Sequence, residues 1–522
     1  MLFIDPLFLF AVLPLAICLF YVFGTLCGPS AALGVIVVTS AIFYAPYGAL
    51  PFSILAGSLC VNLAIGLGLS SARFVSPAIR QLLLTGGLVF NFLLLGAFKY
   101  FDQIAALVAP MAGPILGVVI PAGISFYTFH QAVFLLDAFK RQEDVGKFLA
   151  GADGAGGKLS VFTRYAAFVA LFPQLIIGPI TYMSEFSPQA LRPGFGRLRW
   201  VDLQVGVTLV IVGLFKKLVL ADNLSTLVSP TFAGASTNLP ISSNDAIMAI
   251  AGYFFQLYFD FSGYSDIALG IARCFSIRLP INFDSPLRAS GIVDWYRRWH
   301  ITLTRVIALF VFTPLSLWGT RYAAQRGYKG WKRRAFGAWL PFLLNFQIIA
   351  LWHAAKGTFA LFGLFHGLWY VLETEVKASK TFKAYRARTS DRFRGLTGMA
   401  ISTLPLMLSL ALFRSDSVNA FGKLVASVGN FAPPEIGQVD GNPRGWLKIA
   451  IAAFIVYLLP NIYEVLRNYR PGIVTYENRS TAVAILRVAW RPNLVWGLYL
   501  GGLAIVAFTY LNIPAPFLYA GF

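Results

Sequence analysis

Residues 246–272 read AIMAIAGYFFQLYFDFSGYSDIALGIA, an apolar run long enough to cross a lipid bilayer as a helix. Asp260 and Asp266 lie inside this run, where an ionised group is costly unless it faces a partner or a cavity. Asp260 and Tyr264 are one helical turn apart. Ser262 and Asp266 are spaced in the same way, which gives two adjacent polar faces. The run therefore predicts a membrane helix whose polar side chains face the protein interior.

The composition of the whole chain supports a membrane location. Of its 522 residues, 57% are hydrophobic and only 12% are charged, and the mean hydropathy is +0.70. Soluble domains carry about 25% charged residues, so a soluble core that hides this much apolar surface is excluded. The 47 Phe, 22 Tyr and 11 Trp fit lipid-facing helices with aromatic belts at the membrane interfaces. The sequence predicts an integral membrane protein.

The charge distribution favours membrane lipids over nucleic acid as the partner of the basic residues. The net charge is +20, but Lys and Arg gather in short segments between apolar runs, as in residues 321–334 and 377–394. Retention of basic loops in the cytoplasm produces this pattern, and anionic lipid head groups bind the same loops. A basic cytoplasmic face would also attract an anionic acyl donor or an acidic carrier protein.

Neither a metal site nor a cleaved leader is predicted. The four cysteines have no metal-ligand spacing and fit small apolar side chains in helices. They are Cys18, Cys27, Cys60 and Cys274. Residues 1–10 lack a basic segment and a small-residue cleavage site, which indicates an uncleaved first span.

The apolar runs predict an all-α fold, a polytopic membrane helical bundle with roughly eleven to thirteen spans plus re-entrant segments. One membrane domain over residues 1–522 is expected, with its motifs between about residues 120 and 375, because no polar stretch is long enough for a soluble domain. Residues 140–160, 319–335 and 415–445 are expected to be loops. The candidate spans are residues 7–27, 31–50, 52–70, 82–98, 121–139, 161–183, 203–221, 246–272, 336–353, 357–375, 397–414, 446–463 and 494–511, and residues 105–120 and 300–318 are possible re-entrant segments.

Two further segments place polar or helix-breaking residues at membrane depth. Residues 121–130 read PAGISFYTFH, and Asp137 follows His130 by seven residues, so both side chains share one helix face. This face predicts either a functional cluster or a hydrogen-bonded packing helix. Residues 172–180 read FPQLIIGPI, whose prolines and glycine break a helix. Because broken backbone in a membrane needs cover from protein or water, the segment predicts a cavity wall, with a simple kink as the alternative.

Three of the four histidines lie in the remaining polar segments. Residues 294–300 read DWYRRWH, and His353 and His366 follow in LWH and FHG motifs. Imidazole exchanges protons near neutral pH, which suits acyl transfer to a hydroxyl, although a single helical histidine is more often structural. In one unbroken helix His366 would lie on roughly the opposite face from His353. The two would then act together only if Gly357 or Gly363 breaks the helix.

Taken in order, these segments resemble the membrane-bound O-acyltransferase family and, within it, the alginate O-acetylase branch. The matching motifs are PAGISFYTFH, LFPQLIIGP, YFDFSGYSDIALG, DWYRRWHITLT, and LWH followed by LFHG. The N-terminal MLFIDPLFLFAVLP also resembles that branch. The resemblance implies a helical bundle around a funnel or tunnel with a histidine at its narrow centre. The family's essential histidine follows a tryptophan, which here is His353; the second family histidine falls on His300, and His366 matches a less central position.

The resemblance also implies substrates and partners. A thioester, acetyl-CoA or an acyl carrier, would react from the cytoplasm as a donor substrate and not as a bound cofactor. The acyl group would cross the bacterial inner membrane to a separate extracytoplasmic acetyltransferase. The final acceptor would be a polysaccharide such as alginate, cellulose, another exopolysaccharide or peptidoglycan.

The chain departs from the branch at two places beside the expected tunnel. After His300, Arg305-Val-Ile-Ala stands where the branch has Arg-Asp-Tyr, and after His353, Ala354-Ala-Lys-Gly stands where it has Gly-Ala-Ser-Trp. Both histidines are retained, so activity is expected, while the donor and the polysaccharide stay open.

The mechanistic hypothesis gives each polar cluster a role. His353 is expected to act as general base or brief acyl relay on the thioester, and His300 to orient the thioester carbonyl or the acceptor. The arginines would meet donor phosphates or lipid head groups, and the acidic cluster would fix neighbouring helices. These supporting residues are Arg297, Arg298, Trp299, Asp260, Tyr264 and Asp266. The alternatives are D-alanyl transfer to a cell-wall polymer and a transporter without covalent chemistry, for which no inverted repeat is visible.

Overall fold

A computed structural model describes residues 2–70, 76–108, 120–150, 158–237, 239–429, 443–475, 488–511 and 517–518. Helices dominate this part of the chain, and its only extended pairing is a single parallel bridge between Pro280 and Ile473. The predicted all-α bundle is therefore confirmed. The helices are α1 (Leu13–Leu26), α2 (Pro29–Tyr44), α3 (Ala49–Ser70), α4 (Pro77–Val108), α5 (Ile124–Phe139), α6 (Glu143–Ala150), α7 (Lys158–Val169), α8 (Phe172–Leu175), α9 (Met183–Ala190), α10 (Trp200–Leu214), α11 (Asp222–Thr237), α12 (Ser243–Cys274), α13 (Ile292–Tyr296), α14 (Ile301–Ile307), α15 (Thr313–Gln325), α16 (Gly330–Arg334), α17 (Leu340–His353), α18 (Gly357–Ala378), α19 (Lys380–Arg388), α20 (Asp391–Arg414), α21 (Val418–Ser427), α22 (Pro443–Leu458), α23 (Ile462–Val465) and α24 (Leu494–Thr509).

Shorter helical segments join several of these helices into longer rods. Four π-helical segments are Phe8–Val12, Phe215–Ala221, Ala308–Phe312 and Ala335–Trp339, and three 3-10 turns are Ala45–Tyr47, Pro286–Arg288 and Arg467–Tyr469. The π segments continue the helix axis while they shift the side-chain register by one residue. For this reason α10 and α11 form one continuous helix from Trp200 to Thr237.

Eight helices of the described residues are long and apolar enough to cross a membrane. They are Phe8–Leu26, Pro29–Tyr47, Ala49–Ser70, Pro77–Phe101, Trp200–Thr237, Ile301–Gln325, Gly330–His353 and Asp391–Arg414. Large apolar side chains on their outer faces are exposed, for example Leu26 at 77% and Ile401 at 74%, as lipid contact requires. The chain is a multi-pass membrane protein, and residues 301–318 of the possible re-entrant segment lie in the continuous helix Ile301–Gln325.

The other predicted spans also contain helices, but these are shorter, broken or more polar. Residues 121–139, 446–463 and 494–511 give α5, α22 and α24, each of 16 residues. The 246–272 run gives α12, whose 32 residues are almost entirely buried by protein, and 357–375 gives α18. Helix α4 continues to Val108, and residues 109–119 of the possible re-entrant segment lie outside the described residues.

The predicted loops are partly helical. The loop prediction for residues 319–335 is wrong, because α15 continues to Gln325 and α16 begins at Gly330. Lys and Arg are good helix formers, so a basic composition marks a membrane boundary without ending a helix. The other two expected loops contain the amphipathic α6 and α21, while residues 151–157 and 430–442 lie outside the described part.

The chain contacts define two compact units. The first consists of Met1–Ile211, Ser265–Pro280 and Tyr469–Ile473, and the second of Val212–Tyr264, Ile281–Asn468 and Val474–Phe522. The expected single membrane domain over residues 1–522 therefore stays a prediction.

Helix α5 is a packing helix of the first unit. His130 Nε2 accepts a hydrogen bond from the Thr181 backbone N–H at 3.2 Å, and Asp137 Oδ2 accepts one from the Ser184 N–H at 2.9 Å. The two side chains therefore share a face, as the seven-residue spacing predicts. Both serve the irregular segment that follows the break, which favours the packing interpretation over a functional cluster.

The break at 172–180 is confirmed as a structural feature. Helix α7 ends at Val169, the four-residue α8 follows, and residues 176–182 are non-helical and almost all buried. Gln174 Nε2 donates to the Phe168 carbonyl at 2.7 Å, which satisfies one of the freed backbone groups. Protein covers this broken backbone, and a wall facing a cavity stays a prediction.

A buried ion cluster organises the second unit around α12. Lys217 Nζ lies 2.6 Å from Asp260 Oδ1 and 2.8 Å from Asp222 Oδ1, and the Lys217 side chain is 1% exposed. Gly263 permits this approach, because a Cβ there would lie 2.8 Å from the Gly213 carbonyl oxygen. The carboxylate of Asp260 also accepts a hydrogen bond from the Leu518 N–H at 3.1 Å. The acidic motif of α12 therefore neutralises a buried lysine of the neighbouring helix.

We expect Lys217→Met to destabilise the protein by about 3–5 kcal/mol, because it removes the common cation of two buried carboxylates. The measurement is the midpoint of thermal unfolding in detergent micelles. It is read as the fraction of protein that stays monodisperse on size-exclusion chromatography after heating. Lys216→Met is the matched control, since the neighbouring Lys216 is only half-buried and its ammonium lies over the Tyr258 ring. Equal unfolding midpoints for the two variants would contradict this assignment.

Candidate functional site

A cavity in the second unit brings two of the predicted histidines together. Its wall combines side chains from α12, the α13–α14 segment, α17, α18 and α20. They are Leu257, Trp295, Tyr296, Trp299, His300, Leu303, Thr304, Ile349, His353, Phe362, Leu410 and Phe413. His300 and His353 are 3% and 6% exposed, so both imidazoles are buried in this largely aromatic surround. Sequence separation alone could not place them at one cavity.

The cavity is narrow. Its volume is about 40 Å³. Because one water needs at least about 10–15 Å³, the cavity holds only a few waters. The space suits a group of a few heavy atoms and excludes a long acyl chain in this conformation.

His300 is held in a strained conformation at the start of α14. Its φ is 45° and its ψ is 50°, a left-handed geometry that costs a non-glycine residue about 1–3 kcal/mol. The carbonyl oxygen of Asn282 fixes the turn by accepting from the Ile301 N–H at 3.0 Å. Phe261 meets the imidazole edge-on, with ring centroids 4.8 Å apart. Such over-determined strain is typical of a functional side chain.

The hydrogen bonds of Asn282 decide which nitrogen of His300 carries the proton. Asn282 Oδ1 lies 3.2 Å from the Thr302 backbone nitrogen, 2.9 Å from Thr302 Oγ1 and 3.1 Å from His300 Nδ1. A backbone N–H can only donate, so the amide atom that faces it must be the oxygen. That oxygen can only accept, so Nδ1 of the neutral imidazole is the protonated nitrogen. Nε2 is then the nitrogen with the basic lone pair.

His353 is the last residue of α17. Trp352 and Phe413 pack against its ring with centroids 4.7 and 5.1 Å away, and Phe359 stacks at 6.1 Å. The helix ends here because Ala354 is extended, with φ −161° and ψ 150°. The chain then re-enters a helix at Gly357, and α17 and α18 pack against each other. The aromatic contacts hold the imidazole at the cavity wall.

His366 lies behind the cavity and not in its wall. Residues 354–356 break the helix between His353 and His366. The expectation that the two lie on opposite faces of one unbroken helix therefore does not apply. His366 is fully buried, its Nδ1 is 2.6 Å from Tyr296 Oη, and Phe362 packs on its ring at 4.0 Å. Both Tyr296 and Phe362 line the cavity, so His366 touches two wall residues.

The two arginines of the DWYRRWH motif have different environments: Arg298 is buried and Arg297 is exposed. Arg298 is 8% exposed, its Nε lies 2.9 Å from Asp294 Oδ1, and its Nη1 donates to the Asp284 carbonyl at 3.3 Å. These contacts tie Arg298 to the loop, which leaves little of the guanidinium for a donor phosphate. Arg297 is exposed and does not line the cavity, while Trp299 does. Donor contact through Arg297 stays a prediction.

The acidic cluster of α12 is outside the cavity wall. Asp260 pairs with Lys217, and Tyr264 meets the Phe517 ring edge-on at 4.8 Å. Asp266 is fully buried. These placements agree with a role in fixing helices and give no support to direct donor contact.

Sequence reasoning missed several residues of the site. Tyr296, Thr304 and Phe413 line the cavity, and Asn282 orients His300. Tyr296 lies inside the DWYRRWH motif, so its position beside His300 was a usable signal. Phe413 lies in an apolar helix whose hydropathy alone gives no sign of a site. Among the described residues, no group of three or more His, Cys, Asp or Glu is placed to hold a metal ion.

Comparison of the sequence with known proteins relates this chain to one family. The sequence profile of the MBOAT family, the membrane-bound O-acyltransferases, matches residues 128–408, which include all four histidines. A peptidoglycan O-acetyltransferase of Helicobacter pylori is 34% identical over 383 residues, 70% of this chain and 69% of that protein. A probable alginate O-acetylase of Pseudomonas aeruginosa is 28% identical over 490 residues, 92% and 85% of the two chains. A teichoic acid D-alanyltransferase of Streptococcus thermophilus is 27% identical over 303 residues, 56% and 67% of the two chains.

We expect nitrogen-15 NMR of histidine-labelled protein to find His300 as the Nδ1–H tautomer. Its signals are assigned by their loss in His300→Gln, which is practical because the chain has only four histidines. Asn282→Leu removes the acceptor that fixes this tautomer and should give a mixture of the two neutral forms. Asn223→Leu is the control, since Asn223 lies on α11 and its Nδ2 donates to the Val219 carbonyl one turn earlier in the same helix. A wild-type Nε2–H tautomer, or unchanged signals in Asn282→Leu, would refute the orientation.

Proposed function

The chain belongs to the membrane-bound O-acyltransferase family, and from this premise we propose that it passes an acetyl group across a bacterial inner membrane. The donor is a cytoplasmic thioester, acetyl-CoA or an acyl carrier, and the purpose is O-acetylation of an extracytoplasmic polysaccharide. The observation that carries the proposal is the narrow cavity at which the buried imidazoles of His300 and His353 meet.

His353 is the general base of the proposed reaction. Its imidazole takes the proton of an acceptor hydroxyl as the oxygen attacks the thioester carbonyl carbon. The tetrahedral intermediate then collapses, the carbon–sulfur bond breaks, and the thiolate leaves and takes up the proton from the imidazolium. A brief acyl-imidazole on His353 is the variant of this step in which the histidine itself relays the acetyl group.

His300 orients the acceptor. With Nδ1–H donated to Asn282, its Nε2 has a lone pair and no proton. It can therefore accept a hydrogen bond from a second hydroxyl of the acceptor, next to the one whose proton His353 takes, but it cannot donate one to the thioester carbonyl. Of the two roles expected from the sequence, this geometry supports acceptor positioning.

Support for acetyl over D-alanyl comes from the wall of the cavity. A D-alanyl group carries an ammonium, and a buried cation without a carboxylate or other partner is strongly disfavoured. Among the described residues that line the cavity, none is Asp or Glu. The small accessible space and the uncharged wall together fit an acetyl group.

The proposed destination is a polysaccharide reached through a second protein. The Helicobacter relative is named for peptidoglycan and the Pseudomonas relative for alginate, both of them sugar polymers outside the inner membrane. In this proposal a separate extracytoplasmic acetyltransferase receives the group and transfers it to the polymer. The lipid-facing apolar helices and the basic segments fit residence in an anionic inner membrane.

We expect His353→Ala to lower acetyl transfer by about 10²–10⁴-fold, the usual contribution of general acid–base catalysis. Inside-out vesicles are supplied with labelled acetyl-CoA, and release of free CoA is followed over time. His130→Gln is the control, because His130 packs within the first unit and glutamine can still accept from the Thr181 N–H. If His353→Ala released CoA at the wild-type rate, this role would be overturned. If the wild-type protein released nothing from acetyl-CoA or from an acetylated acyl carrier, a transporter would be favoured.

Donor selectivity provides a second measurement. We expect acetyl-CoA to be consumed at least about tenfold faster than D-alanyl-CoA, because the uncharged wall leaves the ammonium unpaired. Thr304→Asp places a carboxylate at the half-buried edge of the cavity and should reduce this preference. Equal rates with the wild-type protein would favour D-alanyl transfer as the alternative function.

A further inference from the structure

Helix α20 closes one side of the cavity with two apolar side chains to which the mechanism above gives no role. Leu410 and Phe413 are three residues apart on α20, so they lie on one face of that helix. Both line the cavity, and they are 4% and 5% exposed. The two imidazoles lie at the start of α14 and the end of α17, so α20 contributes wall and no proton-transferring group.

The two side chains of α20 differ in their relation to His353. The Phe413 ring meets the His353 imidazole edge-on at 5.1 Å and also packs on Phe359 at 4.7 Å and Phe362 at 5.3 Å. Phe413 therefore orients the imidazole as well as bounding the cavity. A leucine side chain forms no hydrogen bond and carries no charge, so Leu410 contributes only the space that it fills. At Leu410 the volume can be changed while the ring contacts of His353 are kept.

The position of Leu410 relative to His353 follows from its neighbour on α20. Side chains three residues apart on a helix have Cβ atoms about 5–6 Å apart. Because Phe413 packs against His353, Leu410 lies one turn away on the same cavity-facing side of the helix. In the proposed reaction the thioester carbonyl carbon lies at His353, and the acyl chain extends from that carbon into the rest of the cavity. Leu410 is placed to stop this extension.

The size of the cavity makes such a stop decisive. Its volume is about 40 Å³, and its wall is apolar and aromatic on several sides. An acetyl group adds one methyl to the reacting carbonyl. Protein interiors are packed as densely as organic crystals, so each further methylene of an acyl chain would force a wall side chain to move. A wall of this kind selects the donor by the length of its acyl chain.

We propose that Leu410, with Phe413 beside it, is the specificity-determining residue that limits the transferred acyl group to two carbons. This inference rests on the proposed acyl transfer. The acetyl methyl lies against this face of α20, and the next methylene of a propionyl group would have to occupy the space that Leu410 fills. The bonds that form and break are those of the acetyl reaction. Leu410 decides which thioester fits and takes part in no chemical step.

The test compares acetyl-CoA with propionyl-CoA, whose acyl chain is one methylene longer. Leu410→Ala removes three carbons, and a packed site that loses this much side chain collapses only in part. An apolar cavity left in this way takes up apolar guests. Labelled donors are supplied separately to inside-out vesicles, and release of CoA gives kcat/KM for each. The ratio of the two values is the readout, because it does not depend on how much protein is folded.

The expected ratios follow from the worth of one methylene in an apolar pocket, which is about 10–200-fold in kcat/KM. Wild type should use propionyl-CoA at least about tenfold less well than acetyl-CoA, and Leu410→Ala should raise the propionyl-to-acetyl ratio at least about tenfold. Leu410→Val removes only one carbon, which costs less stability. It should raise the ratio for propionyl-CoA but leave butyryl-CoA excluded.

Leu406→Ala is the matched control. Leu406 lies one turn before Leu410 on α20, is 2% exposed and is not among the described residues that line the cavity. The same three carbons are removed from the same helix, so a general loosening of the bundle would change the ratio equally in both variants. We expect the ratio of Leu406→Ala to stay within about twofold of wild type, as for a buried residue without contact to the substrate.

The outcomes separate this inference from the proposed function. Equal ratios in wild type, Leu410→Ala and Leu406→Ala would overturn the role of Leu410, and so would a wild type that uses both donors equally well. If wild type still released CoA from acetyl-CoA and His353→Ala did not, the proposed function would stand without it. A wild type that released no CoA would overturn both. Should Leu410→Ala not fold, Leu410→Val decides the question by the same ratio.

Discussion

Everything at this site depends on satisfying the polar groups of a mostly irregular segment inside a membrane bundle. Residues 281–300 precede α14 and contain only a 3-10 turn and the five-residue α13, and lipid offers their backbone no hydrogen bonds. Their partners are therefore internal: Glu373 accepts from the Ile292 N–H at 2.6 Å, and the Asp284 N–H donates to the Arg298 carbonyl at 3.0 Å. Arg288 Nε donates to the Val456 carbonyl at 2.6 Å. These bonds fix the segment that ends in the strained His300.

The buried ion cluster and the cavity are linked through one helix. Asp260 holds α12 to Lys217, and the adjacent Phe261 meets His300 edge-on, while Leu257 lies in the cavity wall. An ion pair in a low-dielectric interior is sensitive to geometry, so it fixes the rotation of α12 as well as its position. The acidic motif, which the sequence predicts to fix neighbouring helices, holds this part of the wall in place through Asp260.

The sequence predicts the positions of the helices better than it predicts which side chains contact each other between them. Hydropathy located the apolar runs, because lipid imposes one rule on every spanning residue, and helical spacing put His130 and Asp137 on one face. Spacing could not reveal that Lys217 forms an ion pair with Asp260, which lies 43 residues further along the chain. Nor could it assign His366, whose relation to His353 changed once the helix ended at residue 353. Asn282 carried no signal at all, since a single asparagine in a loop is ordinary until its three donors are seen.

Among the described residues of the cavity wall none is Asp, Glu, Lys or Arg, which fits the proposed use of neutral imidazoles there. A carboxylate or an ammonium would have to be paired to remain buried there, and the pair would neutralise the very field the reaction needs. Neutral His300, His353 and Tyr296 can be buried at modest cost, each with a hydrogen bond or ring contact to orient it. In the proposed reaction, the largest charge in the cavity is then the one that develops on the thioester oxygen. In so low a dielectric, oriented dipoles stabilise that charge more than water could.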